Sequence, residues 1–275
     1  MKPISLMGIL NVTPDSFSDG GLFYGDVKLA VSGAEQMLRE GAEIIDIGGE
    51  SSRPGAELIT VQEELQRVIP VVDALRSALG STFSISIDTY KSEVAETALQ
   101  HGATMINSMG GFRFDPALAG VVAKYGCPVV VYHIKGLPQT MQVGEIVYDD
   151  VIKEISEFFD EQINIGEKSD VQKKQYIFDP GIGFGKTVDH NLEILKRLSE
   201  FKKYDVPILI GVSRKGHIGS ILKEKLELDN VPGPLERLEG ALADTAIAVI
   251  NGASIVRTHD VLQTKKFLAV LEELL

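Results

Sequence analysis

Short apolar runs rich in β-branched residues alternate along this chain with segments whose apolar positions recur every three or four residues. The runs occupy residues 4–10, 43–47, 83–87, 105–106, 128–132, 176–178, 207–211 and 254–256. Most lack polar alternation, the pattern of a parallel strand covered on both faces. Between them, Leu65, Val68, Val72 and Leu75 share one helical face, as do Ile152, Ile155, Phe158, Phe159 and Ile163. Leu238, Leu242, Ile247 and Ile250 follow a looser version of that spacing, and residues 261–275 make a last helix. Parallel strands need crossovers, so eight strand–helix units in 275 residues predict an α/β fold, a TIM (β/α)8 barrel in one domain over residues 1–275. A doubly wound sheet is the alternative.

A barrel presents its chemistry at the C-terminal ends of its strands. Those ends carry Asn11, Glu50 to Arg53, Asp88, Asn107, His133, Asp179, Ser213 to Lys215, and Arg257 with His259. The first run opens into a loop with Asn11, Thr13, Asp15, Ser16 and Ser18 around Phe17. Such a loop is either a solvated turn or the edge of a site. Asp88 and Asp179 each close an apolar run. Capping the next helix is the ordinary role of such an aspartate, less so at Asp179, which Pro180 and Gly181 follow. The other reading is recognition of a flat heterocycle, because one carboxylate accepts two parallel N–H donors at charge-assisted strength. Asn107 would give one hydrogen bond and take another. Arg53, Arg257 and His259 are either surface charge or a clamp for a diphosphate, to which arginine offers a rigid fork.

Charge and composition narrow the classes. Lys and Arg number 27 against 39 Asp and Glu, a net charge of −12, which argues against a nucleic-acid partner. Cations for an anionic ligand must therefore be local: Arg53, Lys215, Arg257 and His259. Cys127 stands alone in an apolar run and reads as a core residue, so no internal disulfide is expected and a cytoplasmic location fits. No leader pattern opens the chain, and no stretch approaches the roughly 18 apolar residues of a membrane span. Residues 223–236 look like an insertion between helices. Gly181, Gly183 and Gly185 are spaced as neither the dinucleotide nor the phosphate-loop motif. His101, His190 and His217 read as surface or capping residues, and His133 as structural or site-facing. No Ser–His pair or reactive-cysteine motif calls for a nucleophile.

Six segments carry a resemblance over nearly the whole chain: residues 7–21 (MGILNVTPDSFSDGG), 48–56 (GGESSRPGA), 86–91 (SIDTYK), 178–186 (FDPGIGFGK), 213–215 (SRK) and 257–260 (RTHD). In this order they resemble the signatures of the dihydropteroate synthases. The resemblance implies a cytoplasmic, homodimeric TIM-barrel transferase of folate biosynthesis and a sulfonamide target. It would join 6-hydroxymethyl-7,8-dihydropterin diphosphate to p-aminobenzoate and release diphosphate. It further implies catalytic roles for Asp88, Asp179, Lys215 and Arg257. Asp88, Asn107, Ile134, Asp179, Lys215 and Arg257 would hold the pterin. Asn11, Ser52, Arg53, Arg257 and His259 would hold the diphosphate, with Asn11 at a Mg2+ ion. Phe17, Ser52, Pro54, Lys215 and Gly216 would meet p-aminobenzoate. The chain departs from the family pattern at Ser52 (usually Thr), Ser108 (Asp), Ile134 (Met) and Gly216 (Ser). Two other readings remain open at this level: a pterin-dependent methyltransferase serving a corrinoid protein, and a silent pterin-binding paralogue.

Overall fold

The computed structural model describes residues 3–14, 23–51, 55–137 and 139–275. Phe17, Ser52, Arg53 and Pro54, expected at the site, lie outside the described residues. Eight strands, β1 (Ser5–Asn11), β2 (Ile44–Gly48), β3 (Ser84–Asp88), β4 (Met105–Met109), β5 (Val129–Tyr132), β6 (Tyr176–Asp179), β7 (Leu209–Ile210) and β8 (Ile255–Thr258), form one parallel sheet in the order β6-β5-β4-β3-β2-β1-β8-β7. A parallel bridge between Phe178 and Ile208, with the Phe178 amide donating to the Pro207 carbonyl at 2.9 Å, brings β6 against the lead into β7 and closes the ring. This is the TIM barrel; the doubly wound alternative is excluded by closure.

Helices α1 (Val27–Arg39), α2 (Val61–Leu79), α3 (Ser92–Gln100), α4 (Ala117–Tyr125), α5 (Val151–Glu167) and α6 (Val188–Arg197) follow the first six strands in turn. After β7 come a further short helix, α7 (Gly216–Lys225), and then α8 (Leu238–Ile250); α9 (Val261–Leu274) follows β8. Local chemistry sets several starts. Thr60 and Glu63 form a reciprocal cap on α2, and Thr187 accepts from the His190 amide at α6. Residues 223–236 are only partly linker, since α7 runs to Lys225.

Two expectations are corrected. The buried face of α8 is Ala241, Thr245, Ala248 and Val249, while Ile247 and Ile250 point outward. Small residues let this helix lie close to its neighbours, and the larger isoleucines face away. His217 is buried rather than superficial, with Nε2 2.8 Å from the Asp244 carboxylate.

Strand period 2 places the site. Met7, Ile44, Met105, Val130, Ile177, Leu209 and Ile255 form a separate buried cluster that plugs the bore. Two residues further along, on the same side of each strand, stand Asp46, Asn107, Tyr132, Asp179, Gly211 and Arg257, with Ile9 on β1 as the apolar exception. The interior therefore changes from apolar to polar within one residue pair, at the C-terminal end.

Candidate functional site

Arg257 is the centre of this polar layer. Its Nε donates to Asp46 Oδ2 at 2.7 Å and its Nη2 to Asp88 Oδ2 at 3.0 Å. Asn107 Nδ2 donates to the same Asp46 oxygen at 2.9 Å. The Tyr132 hydroxyl donates to Asp88 Oδ1 at 3.1 Å. Burial opposes the charge of Arg257, but the two carboxylates outweigh it and hold the guanidinium ionised. Burial, opposed by Arg257 and reinforced by Asp46, pushes Asp88 up to about 7.

Asp179 ends β6 and accepts from the Gly181 amide at 2.7 Å. That turn holds its carboxylate in place; burial raises it to about 6 against the opposing amide. Asp88 is likewise no helix cap, since α3 starts after Lys91. Gly181, Gly183 and Gly185 all have positive φ, and a Cβ on Gly181 would stand 1.8 Å from the His133 carbonyl oxygen. Only glycine allows that approach. The folded loop presents Phe184, whose ring lies 5.1 Å from Tyr132 and 4.1 Å beneath the Lys215 ammonium. Lys215 precedes α7 and has no ion pair among the described residues. Burial lowers it to about 8, partly restored by Asp179.

Asp88, Asn107, Tyr132, Asp179, Ile182, Phe184, Gly211, Lys215 and Arg257 thus line one cleft. It combines hydrogen-bond acceptors, an amide that can do both and a cation beside aromatic faces, which suits a flat ring with alternating donors and acceptors.

The remaining expected residues fall around this cleft. Asn11 ends β1 beside Gly48, where a side chain would come 3.2 Å from Asn11 Oδ1. His259 Nδ1 is 3.0 Å from Ser213 Oγ. Burial and the neighbouring Arg214, Arg257 and Lys215 push His259 well below the usual histidine range. These surroundings disfavour the imidazolium, so His259 stands at the site as a hydrogen-bonding group. Gly216 opens α7, with open space where a side chain would stand. Ile134 packs with Met109, Tyr132 and Met141 rather than lining the cleft. Ser108 points away from the bore and bonds the Gly111 carbonyl at 2.6 Å, so its departure from the family pattern does not touch the cleft. His133 lies outside the cleft too, 2.9 Å from the buried Lys186 ammonium, in the structural role left open for it.

Sequence reasoning missed Asp46, Tyr132 and Phe184. Asp46 had a signal: a lone carboxylate inside an apolar strand must be paired. Tyr132 had none, being one more apolar-run residue. Among the described residues no group of three or more His, Cys, Asp or Glu side chains could hold a metal.

Comparison with known proteins agrees with this geometry. The sequence model described as pterin binding enzyme matches residues 7–259. A dihydropteroate synthase of Synechocystis is 46% identical over 260 residues, covering 94% of this chain and 86% of the relative. The Yersinia pestis dihydropteroate synthase solved with a sulfonamide drug complex superposes with a TM-score of 0.92 at 39% identity, covering 99% of this chain and 94% of that one. The Clostridium difficile dihydropteroate synthase solved in the presence of pteroic acid gives 0.88 at 42% identity, covering 99% and 97%.

Proposed function

The chain belongs to the pterin-binding enzymes and, among them, to the dihydropteroate synthases, and on that premise we propose how its residues carry out the condensation. The observation that carries the reading is the single cleft lined by Asp88, Asn107, Asp179, Lys215 and Arg257. Asp179 and Asn107 take and give the hydrogen bonds of the pterin's aminopyrimidinone edge. Lys215 meets an acceptor on the ring, and Asp88 takes a ring N–H. Ile134 acts from outside this lining, through its packing on Tyr132.

In the reaction the aniline nitrogen of p-aminobenzoate attacks the pterin methylene. The C–O bond to the diphosphate breaks, diphosphate leaves with the electron pair, and the nitrogen loses a proton. Catalysis is electrostatic. Asp88 and Asp179 offset positive charge on the methylene. Arg257 has five N–H donors, of which Asp46 and Asp88 take two. The rest remain for the diphosphate, with His259 as a neutral donor. By resemblance, Ser52 and Arg53 complete that clamp, and Phe17, Ser52, Pro54 and Lys215 receive p-aminobenzoate. Gly216 offers its carboxylate the free N–H groups of the α7 N-terminus.

Asn11 fits as a Mg2+ ligand: its amide oxygen is a hard donor, and the bare Gly48 leaves room beside it. Magnesium takes few protein ligands and keeps its waters; when bound it neutralises charge on the diphosphate oxygens. No described helix is long and apolar enough to cross a membrane. We assign the chain to the cytoplasm on its single buried cysteine, and to a homodimer through α8 and α9.

The test is diphosphate release by the purified protein given the pterin diphosphate and magnesium, with and without p-aminobenzoate. Release coupled to dihydropteroate formation is expected. Release without condensation would mean that the p-aminobenzoate site is lost. Pterin binding with neither signal would favour the methyltransferase or the silent paralogue.

A further inference from the structure

Asp88 is gripped from both sides of the barrel. Arg257 reaches it from β8, three strands away in one direction, and Tyr132 from β5, two strands away in the other. Each donor takes a different carboxylate oxygen. A carboxylate has about four lone-pair positions, so one on each oxygen remains for a ligand. Two donors on two oxygens also fix the rotation of the carboxylate plane, which a single donor leaves free.

The tyrosine is itself held. Its side chain is almost wholly buried, its ring packs against Phe184, and Met109, Ile134 and Met141 complete its apolar surroundings. The hydroxyl therefore has one place to point. Burial and the adjacent carboxylate raise its phenol far above the usual range, so it serves as a donor at all working pH values. Tyr132 and Asp88 are, moreover, the residues shared by the central cleft and an adjoining cleft bounded by Glu50, Ser51, Thr89 and Tyr90. Their hydrogen bond is part of the wall between the two.

We propose that Tyr132 is a positioning residue for pterin binding, whose hydroxyl fixes the plane of Asp88 so that the remaining lone pairs meet the ring N–H. This inference rests on the synthase reading and adds a residue to it. Tyr132 acts through Asp88 and need not touch the reacting atoms.

The test is a double-mutant cycle read by two separate observables. Oxidised 6-hydroxymethylpterin, which is fluorescent, is titrated into wild type, Tyr132→Phe, Asp88→Asn and the double variant. Steady-state rates are measured with each substrate varied. Removing the hydroxyl is expected to weaken pterin affinity by about tenfold, the usual scale for a bond to a charged group, while KM for p-aminobenzoate stays unchanged. In the Asp88→Asn background the same change is expected to cost less than about twofold, because the partner is gone. Tyr132→Met removes the same hydroxyl with a flexible apolar chain and should reproduce the split if Tyr132→Phe folds poorly. Unchanged pterin affinity, or an equal loss in both backgrounds, overturns the proposal. Wild type that binds no pterin overturns it together with the synthase reading, whereas pterin binding that is intact in wild type and indifferent to Tyr132 leaves the synthase reading standing.

Discussion

Arg257 and Asp46 are joined across the bore by a 2.7 Å bond from Nε to a carboxylate with no solvent exposure. Asp46 never meets the cleft, yet it sets the angle of the guanidinium that does. Asp46→Asn keeps the shape and removes the charge, leaving Arg257 with Asp88 as its one carboxylate. We expect a loss of about 2 kcal/mol in stability, on the scale of a buried bond to a charged group, and a fall of about 100-fold in kcat/KM as the arginine loses its fixed plane. Denaturant melts and initial rates check both. An unchanged rate would remove Asp46 from the support of the site.

The acid–base behaviour follows from burial. Asp88 and Asp179 accept paired ring N–H donors at charge-assisted strength only when ionised, and they are raised to about 7 and about 6. Lys215, lowered to about 8, donates as a cation only below that value. The profile of kcat/KM for the pterin diphosphate should therefore fall on the acid side as the pH drops below about 7, and on the alkaline side above about 8. Lys215→Arg should move the alkaline limb upward, since a guanidinium stays charged. The linkage to stability has the opposite sign. Both carboxylates hold protons in the folded state that the unfolded chain releases near pH 4. Their contribution to stability is fullest in acid and is lost as the pH rises through about 7.

Most of the barrel was legible because its parallel strands are apolar on both faces and stand out as runs. Strand limits moved by a residue or two, and at β4 by more: Asn107, Ser108 and Met109 continue the strand past the apolar pair. Polar residues inside the bore break the apolar pattern that reveals a strand, so function hid structure there. The rim aspartates and Lys215 were visible from strand-end position. Asp46 showed only that it must be paired, not that Asn107, 61 residues on, is a partner, and Tyr132 showed nothing, because its importance lies in a contact with Asp88 across 44 residues of sequence. The α8 face was misread because small residues, not large ones, pack inward.

Two glycines near the cleft should respond oppositely to a side chain. Gly181→Ala places a Cβ at φ +71° and 1.8 Å from a backbone oxygen of His133, and should cost at least about 3 kcal/mol through strain and displacement of the loop. Pterin binding should fall with it, since the same turn holds Asp179. The Cβ that Gly216→Ser adds meets nothing within 4 Å, and the change should leave stability within about 0.5 kcal/mol. A melt and a pterin titration of each variant separate the cases; a stable Gly181→Ala that binds pterin would contradict the tight packing.

The proposed homodimer makes the last prediction. Ile247 and Ile250 on α8 are 43% and 50% exposed, and Val270 and Leu274 on the adjacent α9 are 64% and 76% exposed. Four large apolar side chains on two helices in contact are the kind of exposed apolar surface that an interface would cover. Burying each would contribute up to roughly 1.5–3 kcal/mol to association. Ile250→Glu puts a charge onto that surface, where desolvation opposes assembly, while the half-exposed position lets the carboxylate of the isolated barrel reach water. Sedimentation velocity should show wild type as a dimer and Ile250→Glu shifted toward monomer at micromolar concentration. The variant should keep its melting behaviour apart from the loss of concentration dependence. The residues expected to hold the pterin lie in the barrel of a single chain, at the strand ends away from this surface, so pterin affinity should survive dissociation. A monomeric wild type, or a variant as dimeric as wild type, would move the interface elsewhere.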